Sequence, residues 1–181
     1  MAKIIGISGG SASGKSTFSK KLVGLFEKDH KVKLIGMDWH YKKAEDRPHV
    51  PSHISGIYYT DDNSPDSIDF EAFHKAIDDA LCEGNDIIIL EGLFVLSDEY
   101  IKDRLDLKVF VDCLPDERIV RRLRRNTGWG MSFDEVSSVY LDMVRFRHDM
   151  YVEPYKWTAD IIVNGSGNTD KVCEMIYKNF N

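Results

Sequence analysis

Residues 9–17 read GGSASGKST, which fits the pattern G-x-x-x-x-G-K-[ST] with Gly9, Gly14, Lys15 and Ser16 at its fixed positions. The flanks narrow the choice of fold. A short apolar run, Lys3 to Ser8, precedes the motif, and Phe18, Leu22, Leu25 and Phe26 repeat at helical spacing after it. Strand, glycine-rich turn and helix in that order make a P-loop unit. Its glycines let successive backbone N–H groups turn inward around a polyphosphate, while the positive end of the helix dipole points at the same spot. Gly9, Gly10, Ser11, Ala12, Ser13 and Gly14 then form the cradle, Lys15 reaches the β and γ phosphates, Ser16 ligates Mg²⁺ and Thr17 completes the nucleotide-binding set.

The rest of the chain alternates strands and helices. Val32 to Met37, Asp86 to Leu90, Leu107 to Asp112 and Asp160 to Val163 read as further strands. Helical spacing runs over residues 68–81, 98–104, 116–125, 132–150 and 171–180, with a capping box at Ser132 and Glu135. The fourth of these, from residue 132, is expected to bury a face through Phe133, Val136, Tyr140, Met143, Val144 and Met150. Such alternation predicts an α/β fold: a parallel sheet with right-handed crossovers, covered on both faces, with ligands at the C-terminal strand ends. Between residues 42 and 67 periodicity disappears, and a loop that long in a compact domain is usually functional.

At 181 residues the length predicts one domain spanning the chain. The formal net charge of −6 argues against nucleic-acid or anionic-membrane binding, so any basic surface is local. Cys82, Cys113 and Cys173 sit among apolar neighbours and are expected as buried thiols in a reducing compartment. With no leader-like N-terminus and no apolar stretch near the ~20 residues that cross a bilayer, the expected location is cytoplasmic. Self-association into a homo-oligomer is left open.

Three acidic or basic features supply what a phosphate grip lacks. Asp38 follows the second strand, where a carboxylate can accept an alcohol proton and bind a Mg²⁺ water. Glu91 follows the third, where it can hold Mg²⁺ through water. Arg118, Arg121, Arg122, Arg124 and Arg125 crowd one helix before the break Gly128-Trp129-Gly130; Arg121 and Arg124 stand one turn apart, able to face one ligand from a hinged lid over about 122–135. A GTPase would read guanine with NKxD after a strand, yet the last strand runs into residues 164–168, NGSGN. Phosphate grip, Mg²⁺ ligands, base and mobile cations together describe a small kinase using ATP.

The motif series resembles the uridine kinases, within the uridine kinase and phosphoribulokinase group of P-loop kinases. It comprises IIGISGGSASGKST at 4–17, MDWHY at 37–41, SPDSIDFEAF at 64–73, IIILEGLFVL at 87–96, LKVFVDCLPDERIVRRLRR at 107–125, VYLDMVRFRHDMYVEP at 139–154 and ADIIV at 159–163. The resemblance implies the three-layer P-loop fold with five parallel strands in the order 2-3-1-4-5 and a small lid. It also implies Asp38 as catalytic aspartate, Lys15 and Ser16 as the P-loop pair, Glu91 as the acidic Mg²⁺ residue, and Arg121 and Arg124 as phosphate-facing arginines.

Three departures concern the acceptor. Residues 81–85 run straight into the third strand where the family inserts a base-binding hairpin; Asn63 stands where the family has a ribose-binding aspartate; and Gly128 to Ser132 lack the family's two further lid arginines. Recognition then falls to the loop at about 39–67, with His40, Tyr41, His49, Tyr59 and Asn63 as candidates beside Asp38. A nucleoside such as uridine is the leading acceptor. Another alcohol such as nicotinamide riboside, or a nucleotide-dependent ATPase or switch with no acceptor, stays open.

Overall fold

Four of the five apolar runs are β-branched or aromatic enough to pair as a sheet buried on both faces, and the computed structural model, which describes residues 2–180, places all five side by side. The strands β1 (Lys3–Ser8), β2 (Val32–Gly36), β5 (Ile87–Glu91), β6 (Leu107–Asp112) and β7 (Ile161–Asn164) run parallel in the order β2-β5-β1-β6-β7. Counted among themselves that order is the expected 2-3-1-4-5. Alternation along β5 shows why both faces must be covered: Ile87 and Ile89 point into one core, Ile88 and Leu90 into the other. The first core is closed by Phe18, Leu22 and Phe26 of α1 (Lys15–Phe26) and by Cys173 and Ile176 of α6 (Asp170–Phe180). The second is closed by Phe73, Ile77 and Ala80 of α2 (Phe70–Cys82). Each fully buried Ile contributes roughly 1.5–3 kcal/mol relative to exposure.

Several elements differ from the sequence expectation. The loop after β2 contains a short antiparallel hairpin, β3 (His49–Pro51) with β4 (Tyr58–Thr60), whose three-residue strands are too short to leave a periodic signal. Residues 98–104 form separate turns rather than a helix, held by backbone bonds such as Lys102 N–H to the Asp98 carbonyl. The basic helix α3 (Pro115–Gly128) continues past Arg125, and the chain reverses at Gly130, whose φ of 95° lies in the left-handed region. The segment expected as a lid is therefore the end of α3, this turn and the start of α4 (Phe133–Val139), which opens on the Ser132–Glu135 capping box.

Between α4 and α5 (Arg145–Tyr151) the chain makes a π turn, Tyr140–Val144. That turn shifts the facing register, so His148 is buried while Met150 is 51% exposed. Cys113 and Cys173 are buried as expected, but Cys82 is exposed because it lies off the Phe73, Ile77, Ala80 stripe of α2.

Candidate active site

The register of the sheet assembles the site. Ile7 of β1 pairs with Glu91 of β5, and Gly36 of β2 pairs with the same Glu91, so three chain segments leave the sheet together. Beyond β1 the loop turns tightly: Ser13 N–H donates to the Gly10 carbonyl, and Ala12 takes a left-handed φ of 64°. Gly9 is required by space as well as by φ, since a Cβ there would stand 2.4 Å from the Val111 carbonyl oxygen of β6. The loop is thus pressed against the sheet edge with its helix, α1, opening at Lys15.

On Glu91 two P-loop side chains converge. The Ser16 hydroxyl donates to Glu91 Oε1 at 3.2 Å, and Lys15 Nζ lies 3.4 Å from the same oxygen. Lys15 and Glu91 side chains are 7% and 11% exposed, so removal of one would leave the other charge largely unpaired in a dry setting. Asp38 stands two residues beyond Gly36 in a 3-10 turn, Met37–His40, and is exposed. Its neighbour Met37 fixes the turn against the residue after Glu91: a Cβ on Gly92 would fall 2.4 Å from Met37 Cβ.

The arginine helix lies across the loop, and its register decides which side chains reach it. Arg122 Nη1 donates to Ser11 Oγ at 2.8 Å, and Arg125 Nη2 to the same oxygen at 3.4 Å. Burial, and then the charge of Arg125, lowers the Arg122 pKa. Arg121 bridges two backbone carbonyls, Ser13 at 3.3 Å and Gly165 at 3.0 Å, and pairs with Glu117. Arg124 is exposed and takes no part in these bonds. A cleft of about 390 Å³ is left open between Ala12, Gly14, Lys15, Ser16, Thr17, Arg121 and Arg125.

The acceptor-side candidates are dispersed. Tyr41 donates its hydroxyl to the Asp62 carbonyl beneath the Arg47 guanidinium, and burial pushes its pKa well up, with Asp38 and Asp62 adding to the rise. His40 packs edge-on to Phe73, and burial lowers its pKa. Tyr59 is turned the other way, its hydroxyl donating to Asp142 of the π turn at 3.2 Å; His49 is exposed and stacks on Tyr58. Asn63 is buried and lines a small cavity with Ser11, Leu93, Val144, His148 and Val152. Of the sequence candidates, the fold gathers Lys15, Ser16, Glu91 and Arg121 at the loop and sets Asp38 beside them. Arg122, Arg125 and His148 are added by the fold; the arginine cluster was visible in the sequence, but not which of its faces meets Ser11.

A family model described as phosphoribulokinase / uridine kinase family matches residues 57–172. The chain is 34% identical to a uridine kinase of Clostridium tetani, an alignment covering 97% of this chain and 93% of that one. It belongs to the phosphoribulokinase / uridine kinase family and is a P-loop phosphotransferase. A uridine kinase of Bacillus subtilis is 32% identical, over 96% of this kinase and 90% of that relative. Among solved structures, one described as a possible uridine kinase from Bacillus stearothermophilus shares the fold with a TM-score of 0.57 at 19% identity, covering 90% and 89% of the two chains. The Clostridium tetani alignment runs over 195 positions, more than the 181 residues of this kinase, so that relative carries segments this chain lacks. Among the described residues, no helix is long and apolar enough to cross a membrane.

Proposed function

We propose that this kinase transfers the γ-phosphate of ATP to a hydroxyl of a nucleoside or a similar small alcohol. The reading is carried by one observation: Lys15, Ser16 and Glu91 meet within 3.4 Å at the helix N-terminus, with Asp38 on the adjoining strand exit. The donor phosphates would lie in the P-loop, with the γ-phosphate toward Lys15 and with Arg122 and Arg125 over Ser11. Asp38, exposed at the mouth, would accept the acceptor's proton as its oxygen attacks.

The Ser16 hydroxyl and the Glu91 carboxylate are hard oxygen donors, and among the described residues no cluster of three or more His, Cys, Asp or Glu could hold a metal by itself. Two protein oxygens suit Mg²⁺, which keeps several waters and takes its remaining ligands from phosphates. Ser16 and Glu91 would hold the ion and Asp38 one of its waters, and the ion would supply charge neutralisation at the phosphates. Lys15 and the two arginines supply the rest of that neutralisation, and the sheet edge behind them limits water on one side.

Asp38→Asn should leave ATP affinity unchanged and lower turnover by about 10² or more. ADP release would be followed with uridine, nicotinamide riboside and simple alcohols, and the product checked by mass spectrometry. A second reading, a nucleotide-dependent switch with no acceptor, draws on the segments that the relatives carry and this chain lacks. It predicts slow ATP hydrolysis unaffected by any alcohol, so stimulation by a single compound with a phosphorylated product would rule it out.

A further inference from the structure

Of the five arginines on α3, Arg118 alone is buried, with 3% of its surface exposed. Its Nε donates to the Cys113 carbonyl at 3.1 Å, while its Nη1 is buried with no hydrogen-bond partner. Arg118 takes part in none of the ion pairs among the described residues, and the carboxylates around it are committed elsewhere. Asp112 lies 2.6 Å from Lys156, Glu153 pairs with His148 and Lys156, and Glu117 pairs with Arg121. Asp149, beside His148 in the chain, is exposed. A buried cation without a counter-charge is costly, so its setting calls for an explanation.

That setting is the underside of the phosphate loop. A Cβ on Gly10 would fall 2.5 Å from Arg118 Nη1 and 3.0 Å from Nδ1 and Cε1 of His148, so the guanidinium and the imidazole meet against Gly10. Gly10 opens the tight turn that Ser13 N–H closes on its carbonyl. The imidazole cannot balance Arg118. Burial, and next the charge of Arg118 itself, push the His148 pKa down to about 4, and with Glu153 accepting at Nε2 the ring is neutral near pH 7. The open cleft is lined by neither Gly10 nor Arg118, so Arg118 can reach a bound phosphate only as a field through the loop. At an effective dielectric of ~20, a unit charge is worth about tenfold in affinity out to roughly 10 Å.

We propose that Arg118 is a positioning residue for the donor, a cation set beneath Gly10 whose counter-charge is the polyphosphate bound on the other side of the loop. The assignment rests on the nucleotide site of the kinase reading above. It separates Arg118 from Lys15, Arg122 and Arg125, which border the cleft or hold Ser11 directly. It also makes Arg118 a burden on the empty protein and an asset to the loaded one, a pairing that a purely structural arginine would not show.

The test uses the full chain, with ATP and inorganic tripolyphosphate as probes, titrated by calorimetry at one fixed Mg²⁺ concentration. Arg118→Met should lower the affinity for both probes by about tenfold, and by the same factor, because the charge acts on phosphate and not on the base. Arg118→Lys, which keeps the charge, should stay within about threefold of wild type. Without ligand, Arg118→Met should melt within about 4 °C of wild type, since losing the bond to the Cys113 carbonyl and relieving a buried charge oppose each other. A fall of more than about 10 °C in the empty protein would show that the guanidinium is already balanced there, and would overturn the assignment. So would Arg118→Lys binding as weakly as Arg118→Met, or a loss for ATP without one for tripolyphosphate. A wild type that binds neither probe would overturn the nucleotide site and this assignment together, whereas a wild type that binds both, with Arg118→Met binding as tightly, would overturn this assignment alone.

Discussion

The proposed donor end and the proposed acceptor end of this kinase follow neighbouring strand exits but are built by opposite means. At the donor end, one contiguous stretch, residues 9–17, supplies the cradle, and the sheet positions it through backbone register. At the acceptor end, residues 39–67 contain only short turns and the β3–β4 hairpin, and they are held by side chains from far along the chain. Asp142 of the π turn accepts from the Ser55 hydroxyl at 2.5 Å and from Tyr59 at 3.2 Å. Arg147 lies 2.6 Å from the fully buried Asp61 carboxylate, a charge contact rather than an aligned hydrogen bond, and Ser67 donates to the Asp61 carbonyl. A backbone-built site tolerates changes in its surroundings; one pinned by a few distant side chains can be retuned, or lost, by single substitutions.

That contrast can be broken experimentally. Lys15→Ala attacks the donor end and should lower turnover of the folded protein by about 10³, measured by ADP release, and should also lower the melting temperature because Glu91 is left buried without its partner; a small effect on turnover would mean the P-loop grips a ligand without driving transfer. Arg147→Ala attacks the acceptor end through stability. Leaving Asp61 buried and unpaired should cost about 3 kcal/mol in urea unfolding, and a cost below about 1 kcal/mol would show that water reaches the carboxylate. Arg122→Ala should cut turnover by about 10², whereas Arg124→Ala should stay within about twofold, so equal effects would contradict the register of α3. Asp142→Ala frees the hairpin tip and should cost only about 1 kcal/mol, raising acceptor KM while ATP affinity holds; a matching loss of ATP affinity would show that the two ends move together.

Much of the donor end was legible because its information is local. Glycines, Lys15 and Ser16 are adjacent, and the apolar runs that frame them carry the sheet. The P-loop, five strands and their order followed from such runs and from a family resemblance. Less was legible where a single local irregularity decides the outcome. The π turn at Tyr140–Val144 carries no sequence mark, yet it brings His148 inward and leaves Met150 exposed. Likewise the spacing of Arg121 and Arg124 allowed them to share a ligand, but α3 is laid down so that Arg122 and Arg125 meet Ser11. Cys82 among apolar neighbours suggested burial, and its angle on α2 put it outside.

By itself, then, the sequence determined a P-loop pattern at residues 9–17 on a parallel α/β sheet, because glycine conformational freedom, helix dipole and apolar periodicity act over a few residues. Only the tertiary structure decided which arginines face the loop, that Asp38 and Glu91 share one sheet exit, and that His148 and Asn63 line a small cavity beside it. Those outcomes depend on strand register and helix rotation, which are set by packing among residues dozens of positions apart.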